Sequence, residues 1–526
     1  MSRRFGVLLL ALVAGVALLV SAAFAGRDGE SRRGGTLRLM WGAEPELDPA
    51  LANGNIGSWM LLNATCAKLF TTVQEPKTGR TRVVPEVVRS YEVSGDGRTY
   101  TFELERTFRF DNRAPVTARS FADAFNRTAS PTMNSAAWRR GFFQEITGAD
   151  AFREGKSASI SGVQVLGSYR LRIRLERRAG DFLARLTMPF FCPILPRTPI
   201  SPAGIDDPPG SGPYHIADRV RERRMVLKRN PFYGGDRTAN PDSIIWTIET
   251  DAAERIRATE RNENDFTPVF GYSDAVVRDL EERYGLRGQF RRMPTLANFM
   301  FAFNTRSPAF KGAGTAPLRK AINYALDRYA LTRAHGYLTG RRTDRLLPEA
   351  LSESRRFYPI SGPDPMTARR WLAEARSRPK TLTLYTASFP FSVANAQVFK
   401  SNLRQLDIDV DVRYFSFPTL LERLVTKGEP WDVVWLPWGA FYPGPAGFLL
   451  PLLNDTRYES RIDAANRVTG EARAKSWAKL EADLMRNDPP AAVYADSMAL
   501  VLTSRSFGCF PWVPGADLDL AAVCLK

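Results

Sequence analysis

Four aromatic side chains, Trp435, Trp438, Phe441 and Tyr442, lie at and just beyond the end of an apolar stretch at 431–436. The stretch is typical of a buried strand, and in α/β proteins the loops that follow strands carry ligand contacts. Aromatic rings contribute apolar contact area and, for Trp and Tyr, one polar group that orients a ligand. We therefore predict that these residues bind a solute. For Trp435, packing in a core explains the ring equally well.

Two amide side chains, Asn53 and Asn55, lie just beyond the first predicted strand and its turn. Their donors and acceptors could bind a solute at the same edge of the protein. Asn is also common in loops because it tolerates unusual backbone conformations. Both interpretations stay open.

A serine flanked by glycines is the arrangement closest to a catalytic nucleophile. Ser211 lies between Gly210 and Gly212, and His215 follows in sequence. A proline occupies the place of the first glycine of a nucleophile elbow, so the strained strand-to-helix turn cannot form. The sequence also lacks a phosphate-binding loop and a dinucleotide fingerprint. We predict that the protein is not an enzyme, with an exported hydrolase as the alternative from another class.

Metal and cofactor binding are not expected, because the sequence has two histidines and no pair of cysteines spaced by two residues. The four cysteines are Cys66, Cys192, Cys509 and Cys524. Cys509 and Cys524 are close in sequence and can close a short loop. For Cys66 and Cys192, a second disulfide and two buried thiols are equally good interpretations.

The amino terminus has the order of a secretory signal peptide. Arg3 and Arg4 precede an uncharged apolar run that ends at Ala25, where Ala23 and Ala25 supply the small side chains of a cleavage site. We predict a signal peptide at 1–25 and a polar linker at 26–33, with an uncleaved anchor as the alternative because the run is long enough to span a bilayer. The mature chain is expected in the periplasm or otherwise outside the cytoplasm.

The chain of 526 residues carries a formal net charge of +17. Two of these charges lie in the signal peptide, which leaves +15 after cleavage. The basic residues are scattered, and their densest groups are pairs such as Arg223 and Arg224. A nucleic-acid interface needs basic residues concentrated on one surface, so we expect a basic solvated surface and no nucleic-acid partner.

The periodicity of the sequence indicates a mixed α/β protein. Alternating segments predict strands, and helical spacing places Phe121 and Phe125 one turn apart behind Thr117, a candidate N-cap. A helical pattern covers 317–334, and a strand, a helix and a strand between 381 and 412 form a βαβ unit. Strands are predicted at 36–41, 99–104, 225–228, 244–248, 431–436, 492–494 and 499–502, and helices at 252–260 and 471–485.

The order of motifs resembles the large solute-binding proteins of peptide and nickel ABC transporters, solute-binding family 5, from about residue 34 to the end. The matching segments include 34–37 (GGTL), 47–49 (LDP), 85–87 (PEV), 90–97 (SYEVSGDG), 99–104 (TYTFEL), 210–214 (GSGPY), 227–233 (LKRNPFY), 303–305 (FNT) and 318–328 (LRKAINYALDR). The run that includes 85–87, 90–97 and 99–104 is the most specific block, whereas the motif at 210–214 alone is weak evidence. The shared order of the motifs over some five hundred residues is strong evidence.

The resemblance implies a bilobal periplasmic-binding-protein fold with a cleft between two lobes. Lobe I would comprise 34–68, 201–290 and 501–526, with 69–200 an inserted subdomain, and lobe II would comprise 291–500. The implied function is capture of a peptide or peptide-like solute by hinge closure and delivery to an ABC permease with its ATPase subunits. We expect a monomer.

The sequence departs from the family at Phe441. Members that hold a peptide amino group commonly have Asp in a Trp-x-x-Asp-Tyr-x-x-Pro segment, and here the segment reads WGAFYPGP, with Phe441 in place of the Asp. A buried ammonium without a carboxylate loses its compensation for desolvation. We expect a ligand without a free α-amino group, or one that is largely apolar, aromatic or anionic. As the alternative, Asp432 or Glu429 supplies the acid and ordinary peptides still bind.

Overall fold

The computed structural model describes residues 33–52, 56–75, 81–133, 135–139, 141–270, 272–336, 339–352, 354–453, 456–515 and 517–526. The predicted signal peptide, all but the last residue of the linker, and Asn53 and Asn55 lie outside these residues. Within the described ranges, no helix has the length and apolar character needed to cross a bilayer.

The strands are β1 Thr36–Trp41, β2 Phe70–Gln74, β3 Thr81–Pro85, β4 Val88–Val93, β5 Thr99–Leu104, β6 Val163–Gly167, β7 Arg170–Arg174, β8 Tyr214–Val220, β9 Arg224–Arg229, β10 Ser243–Ile248, β11 Phe266–Pro268, β12 Phe290–Phe303, β13 Thr339–Arg342, β14 Thr381–Ala387, β15 Asp409–Phe415, β16 Val433–Gly439, β17 Ala491–Thr503, β18 Trp512–Val513 and β19 Asp517–Leu518.

The helices are α1 Ile56–Thr65, α2 Ala118–Ala129, α3 Ala136–Arg139, α4 Ala149–Arg153, α5 Phe182–Arg185, α6 Ala252–Glu260, α7 Asp274–Tyr284, α8 Ala316–Ala325, α9 Arg328–His335, α10 Pro365–Glu374, α11 Pro390–Arg404, α12 Phe417–Val425, α13 Pro445–Leu452, α14 Thr456–Asn466 and α15 Ala472–Asn487.

The main sheet runs through both halves of the molecule in the order β15-β14-β16-β12-β17-β11-β1-β10-β9-β8, and β13 pairs with β17. We call the half with β1 and β8–β11 lobe I, and the half with β13–β16 lobe II. Strands β1 and β10 are parallel, as are β14, β15 and β16. Parallel strands place their following loops at one edge of the sheet, which is where α/β proteins bind ligands.

The two long strands β12 and β17 link the lobes. They are antiparallel, and their pairing beside lobe I is separated from their pairing beside lobe II by a register shift between Pro294 and Asn298. An irregularity of this kind lets a strand bend. The segment boundaries given above for lobe I, the inserted subdomain and lobe II remain predictions.

A separate four-stranded sheet, β4-β5-β7-β6, lies near α2. We call this sheet, together with α2–α5, the inserted subdomain. Thr117 and Ser120 form a capping box at the start of α2, and Phe121 and Phe125 are buried in the subdomain core. The predicted N-cap and core face of this helix are confirmed.

The predicted βαβ unit is confirmed by β14, α11 and β15, whose strands pair in parallel. The single helix predicted at 317–334 is wrong, because the chain forms α8 and α9 there. Leu326 is extended, and the Asp327 side chain accepts a hydrogen bond from the backbone N–H of Ala330, which begins a new helix. The two strands predicted at 492–494 and 499–502 form one strand, β17.

Both disulfides are formed, Cys66–Cys192 and Cys509–Cys524. Of the two interpretations of Cys66 and Cys192, the structure therefore has the disulfide. The first bond joins the end of α1 to the chain that leaves the inserted subdomain. The second closes the carboxy-terminal segment, whose buried side chains, such as Leu518, pack in the core of lobe I.

Candidate ligand-binding cleft between the lobes

Loops that follow strand ends in the two lobes contact each other. Phe270 follows β11 in lobe I, and Phe389 and Phe391 follow β14 in lobe II. The ring centroid of Phe270 lies 5.9 Å from that of Phe389 and 6.3 Å from that of Phe391. Phe270 remains 60% exposed. These rings lie where loops of the two lobes meet, and they are not among the residues predicted from the sequence.

On the other side of the cleft, the loop after β16 contacts the inserted subdomain. The ring of Phe441 packs edge-to-face against Phe142, with centroids 5.6 Å apart, and lies 6.2 Å from Trp438. The predicted aromatic loop therefore lies between the lobes. Its partner Phe142 was missed, because nothing near it in sequence indicates a ligand loop.

Trp438 is partly buried, and its indole N–H donates a hydrogen bond to the carbonyl oxygen of Phe448 at 2.9 Å. The polar group of this side chain is thus used inside lobe II. What Trp438 can offer a solute is ring surface, which favours an apolar or aromatic contact.

Trp435 is fully buried in the core of lobe II. Its indole N–H donates to the hydroxyl of Tyr494 at 2.9 Å, and its ring stacks near Phe299. In this arrangement Trp435 packs behind the aromatic loop, in agreement with the packing interpretation of its ring.

Tyr442 is buried among residues of the inserted subdomain, although it belongs to lobe II. Its hydroxyl donates a hydrogen bond to the carboxylate of Asp181, and its ring lies 6.0 Å from Phe142. Burial, assisted by the charge of Asp181, raises the pKa of Tyr442 well above its usual value. Tyr442 therefore stays protonated and acts as a hydrogen-bond donor between the lobes.

Asp181 is the centre of a buried polar contact between the lobes. Arg185 donates two hydrogen bonds to its carboxylate, at 3.0 and 2.9 Å, and the side-chain amide of Asn466 donates a third at 2.7 Å. Burial alone would raise the pKa of Asp181, but Arg185 and the hydrogen bonds outweigh it and lower the pKa. The spacing of Asp181 and Arg185 signals an intrahelical pair, so sequence alone could not reveal the partners from lobe II.

Further polar contacts extend this interface. Arg177 forms an ion pair with Asp463 at 3.0 Å, and Arg178 donates to the hydroxyl of Thr469 at 2.9 Å. The backbone N–H of Gly180 donates to the carbonyl of Asn466 at 2.9 Å. The inserted subdomain and lobe II thus share a set of directional contacts that separation of the lobes would break.

The two acids proposed as alternative amino-group partners do not reach the aromatic loop. Asp432 precedes β16 and accepts a hydrogen bond from the backbone N–H of Thr383 at 2.9 Å. Glu429 accepts from Tyr385 at 2.7 Å and from Arg423 at 2.8 Å. Strand β16 separates this end of the sheet from Phe441 by about 20 Å. Neither acid therefore lies beside Phe441, and the alternative that one of them binds an amino group stays a prediction.

The residues that resemble a catalytic arrangement have structural partners. Ser211 is buried, and its hydroxyl accepts a hydrogen bond from the backbone N–H of Ala67 at 3.0 Å. The Nδ1 atom of His215 lies 3.1 Å from Asp111. Across the described ranges, no group of three or more His, Cys, Asp and Glu side chains is placed to hold a metal ion.

Two small cavities lie away from these interlobe contacts. One, of about 30 Å³, is lined by Cys66 and Cys192, and the other, of about 70 Å³, lies near Trp431 and Tyr458. Both volumes suit one or two water molecules and are well below those of ligand pockets. The contacts between the lobes identify the cleft better than these cavities do.

Residues 82–460 match the family described as bacterial extracellular solute-binding proteins, family 5 middle. The dipeptide-binding protein of Escherichia coli strain K12 is 24% identical over about half of each chain, 55% of this one and 54% of that one. The periplasmic oligopeptide-binding protein OppA of Haemophilus influenzae is 23% identical over 84% of each chain.

A solved structure named clavulanic acid biosynthesis oligopeptide binding protein 2 superposes with a TM-score of 0.83. It is 23% identical, and the match covers 94% of this chain and 96% of that one. The likeness confirms the predicted bilobal α/β fold. With the family match over most of its length, the chain belongs to the family 5 bacterial extracellular solute-binding proteins, which are substrate-binding proteins and not enzymes.

Proposed function

We propose that this protein is the extracytoplasmic solute-binding subunit of an ABC importer and captures a peptide or peptide-like solute by closure of its two lobes. The observation that carries the proposal is the pair of interlobe contacts on either side of the cleft. One is the ring contact of Phe270 with Phe389 and Phe391, and the other is the contact of Phe441 and Tyr442 with the inserted subdomain.

Closure explains how binding can be both tight and reversible. A solute that touches both lobes stabilises the closed state, and its affinity is limited by the difference in its contacts with the open and closed states. Micromolar affinity corresponds to about −8 kcal/mol. Aromatic surface and several backbone hydrogen bonds can supply this free energy without a metal or a cofactor.

The solute surface that meets Phe441 is proposed to be apolar or aromatic. Phe441 and Trp438 in lobe II and Phe142 in the inserted subdomain present rings there, and the polar atom of Trp438 already has a partner. An ammonium group placed among these rings would lose hydration without gaining a countercharge. We assign Trp435 to packing and Tyr442 to closure, and we retain Trp438 and Phe441 as ligand contacts.

The partners are a permease in the membrane and, through it, the ATPase subunits. The named binding targets of relatives, dipeptides and oligopeptides, make a peptide the first ligand class to test. A solute that is not a peptide is the second candidate, and the absence of an acid at Phe441 favours it. An exported hydrolase has no support, because Ser211 and His215 bind separate partners.

Calorimetry with a matched pair of peptides, Ala-Phe-Ala and N-acetyl-Ala-Phe-Ala, tests the proposal. Saturable binding of either peptide, with the peptide recovered intact by mass spectrometry, is the expected result. Cleavage of the peptide would favour the hydrolase. Failure of both peptides to bind would overturn the peptide assignment and leave the non-peptide solute.

A further inference from the structure

Three residues form a row across β16, β12 and β17, in the part of the main sheet where the two lobes join. In the register of the main sheet, Asn298 of β12 lies opposite Trp438 of β16 on one side and opposite Asp496 of β17 on the other. Directly opposed residues project from the same face of a sheet. Asp496 therefore shares a face with Trp438 at a distance of two strand spacings, about 10 Å.

Two acceptor atoms in this row have no donor. Asn298 is fully buried, and its amide group donates to the carbonyl oxygens of Arg345 at 3.2 Å and Leu346 at 3.1 Å. Within the described ranges, its Oδ1 atom and the Oδ1 atom of Asp496 are buried without a hydrogen-bond partner. Buried acceptors are normally hydrogen bonded, so each of these two atoms is a candidate acceptor for a donor of the solute.

The charge of Asp496 is also weakly compensated. The closest ion-pair contact of its carboxylate is with the Nε atom of Arg341 at 3.9 Å, and Arg341 is itself hydrogen bonded to Glu349. Burial is the main cause that raises the pKa of Asp496 to about 6, against opposing effects of Arg345 and Arg341. At pH 7 the carboxylate is thus mostly ionised, and a cation beside it would be stabilised.

We propose that Asp496 and Asn298 bind an ammonium group of the captured solute. The inference rests on the proposed function, because it places the group in the cleft that closure buries. Strands β12 and β17 link the two lobes, so this row lies where the lobes join, and the side chain of Asp496 is 15% exposed. An ammonium group has three donors and can satisfy both Oδ1 atoms while pairing with the carboxylate.

The position of the row also sets the shape of the solute. The loop after β16 lacks an acid, because Phe441 stands where other family members have Asp. Asp496 instead places a carboxylate about 10 Å from Trp438 across the sheet. The solute class is therefore a primary amine with an apolar or aromatic group within roughly that distance. A short peptide with an aromatic residue and a free amino terminus is one member of this class.

Asp496→Asn is the decisive variant. The new amide removes the charge but supplies a donor for the Oδ1 atom of Asn298, so the fold should be retained or stabilised. At pH 7 we expect the affinity of Ala-Phe-Ala to fall at least tenfold and that of N-acetyl-Ala-Phe-Ala to stay within twofold. Glu282→Gln is the control for loss of a negative charge, because Glu282 is exposed on α7 and is not a partner of Asp496, Arg341 or Arg345, and it should leave both affinities unchanged.

Equal affinity of the wild type for the two peptides, or equal loss of both in Asp496→Asn, would overturn the inference and leave the proposed function standing. If neither peptide binds, the melting temperature in the presence of phenethylamine decides. A rise in the wild type that Asp496→Asn lacks supports the ammonium site without the peptide assignment. If phenethylamine raises the melting temperature of neither protein, the ammonium site and the peptide assignment are both overturned. The donor to the Oδ1 atom of Asn298 is then the proton of a protonated Asp496.

Discussion

The hydroxyl of Tyr442 in lobe II donates a hydrogen bond to the carboxylate of Asp181 in the inserted subdomain, although the residues are 261 positions apart in sequence. Asp181 is held by Arg185 on its own side, and Tyr442 and Asn466 reach it from lobe II. Arg185 therefore holds the acid independently of lobe II. The proposed closure would use donors of the protein on this side of the cleft and would need no charged group of the ligand.

Tyr442→Phe should weaken solute binding, because the ring packing stays and only the donor to Asp181 is lost. A hydrogen bond to a charged group contributes about 1.5–3 kcal/mol, which corresponds to roughly a tenfold to hundredfold loss of affinity. Calorimetry gives the affinity. Tyr385→Phe is the control, since its hydroxyl pairs with Glu429 inside lobe II and should not affect closure. Equal affinities for the two variants would show that the Tyr442 contact does not stabilise the closed state.

Phe441→Ala should reduce the affinity for a solute with an aromatic group. The ring contacts Phe142 and Trp438, and loss of about half of its apolar contact corresponds to about 1 kcal/mol, or roughly fivefold. Met366→Ala, at an exposed position on α10, is the control for truncation of an apolar side chain. Unchanged binding of Ala-Phe-Ala by Phe441→Ala would remove Phe441 from the ligand-binding surface.

Acid should destabilise the protein through His335. Its Nδ1 atom lies 2.8 Å from the hydroxyl of Tyr494, and burial lowers its pKa to about 3. In the unfolded chain the pKa is about 6.5, so between these values the unfolded state binds a proton that the folded state does not. The free energy of unfolding then falls as the pH falls, by about 1.4 kcal/mol per pH unit.

Urea unfolding of the wild type and His335→Gln at pH 6.5 and pH 5 measures this effect. The wild type should lose about 1.7 kcal/mol more than the variant over that interval, because the full slope is reached only below pH 6.5. Parallel losses in the two proteins would show that His335 titrates normally in the folded state.

The two disulfides should differ in their contribution to stability. Cys66–Cys192 closes a loop with a sequence separation of 126, and Cys509–Cys524 one with a separation of 15. The chain-entropy model gives about 5 kcal/mol for the first and about 3 kcal/mol for the second. Denaturation of the double alanine variants should rank them in that order, and the reverse order would contradict the entropic account. Under reducing conditions the difference between each variant and the wild type should become small.

The sequence predicted those parts of the structure that depend on local patterns. Helix α2 follows from the N-cap Thr117 and the spacing of Phe121 and Phe125, and the βαβ unit follows from its alternating and helical segments. The position of Phe441 between the lobes followed from its place after an apolar strand. In each case neighbours in sequence carry the signal.

The missed residues act through partners that are distant in sequence. Asp181 looks like half of an intrahelical ion pair, and its role depends on Tyr442 and Asn466. Asp496 interrupts an apolar pattern and divided β17 into two predicted strands, because the sheet passes from one lobe to the other there. The role of a polar residue at such a break can be assigned only when the residue opposite it on the neighbouring strand is known.

Capture of a solute between the two lobes is tested most directly by small-angle X-ray scattering of the protein during titration with Ala-Phe-Ala and, in parallel, with phenethylamine. We expect a saturable decrease in the radius of gyration with at least one of these solutes, and a smaller population of the compact state in Tyr442→Phe at the same concentration. A radius of gyration that stays constant up to about 1 mM of a solute that calorimetry shows to bind would contradict closure as the mechanism of capture.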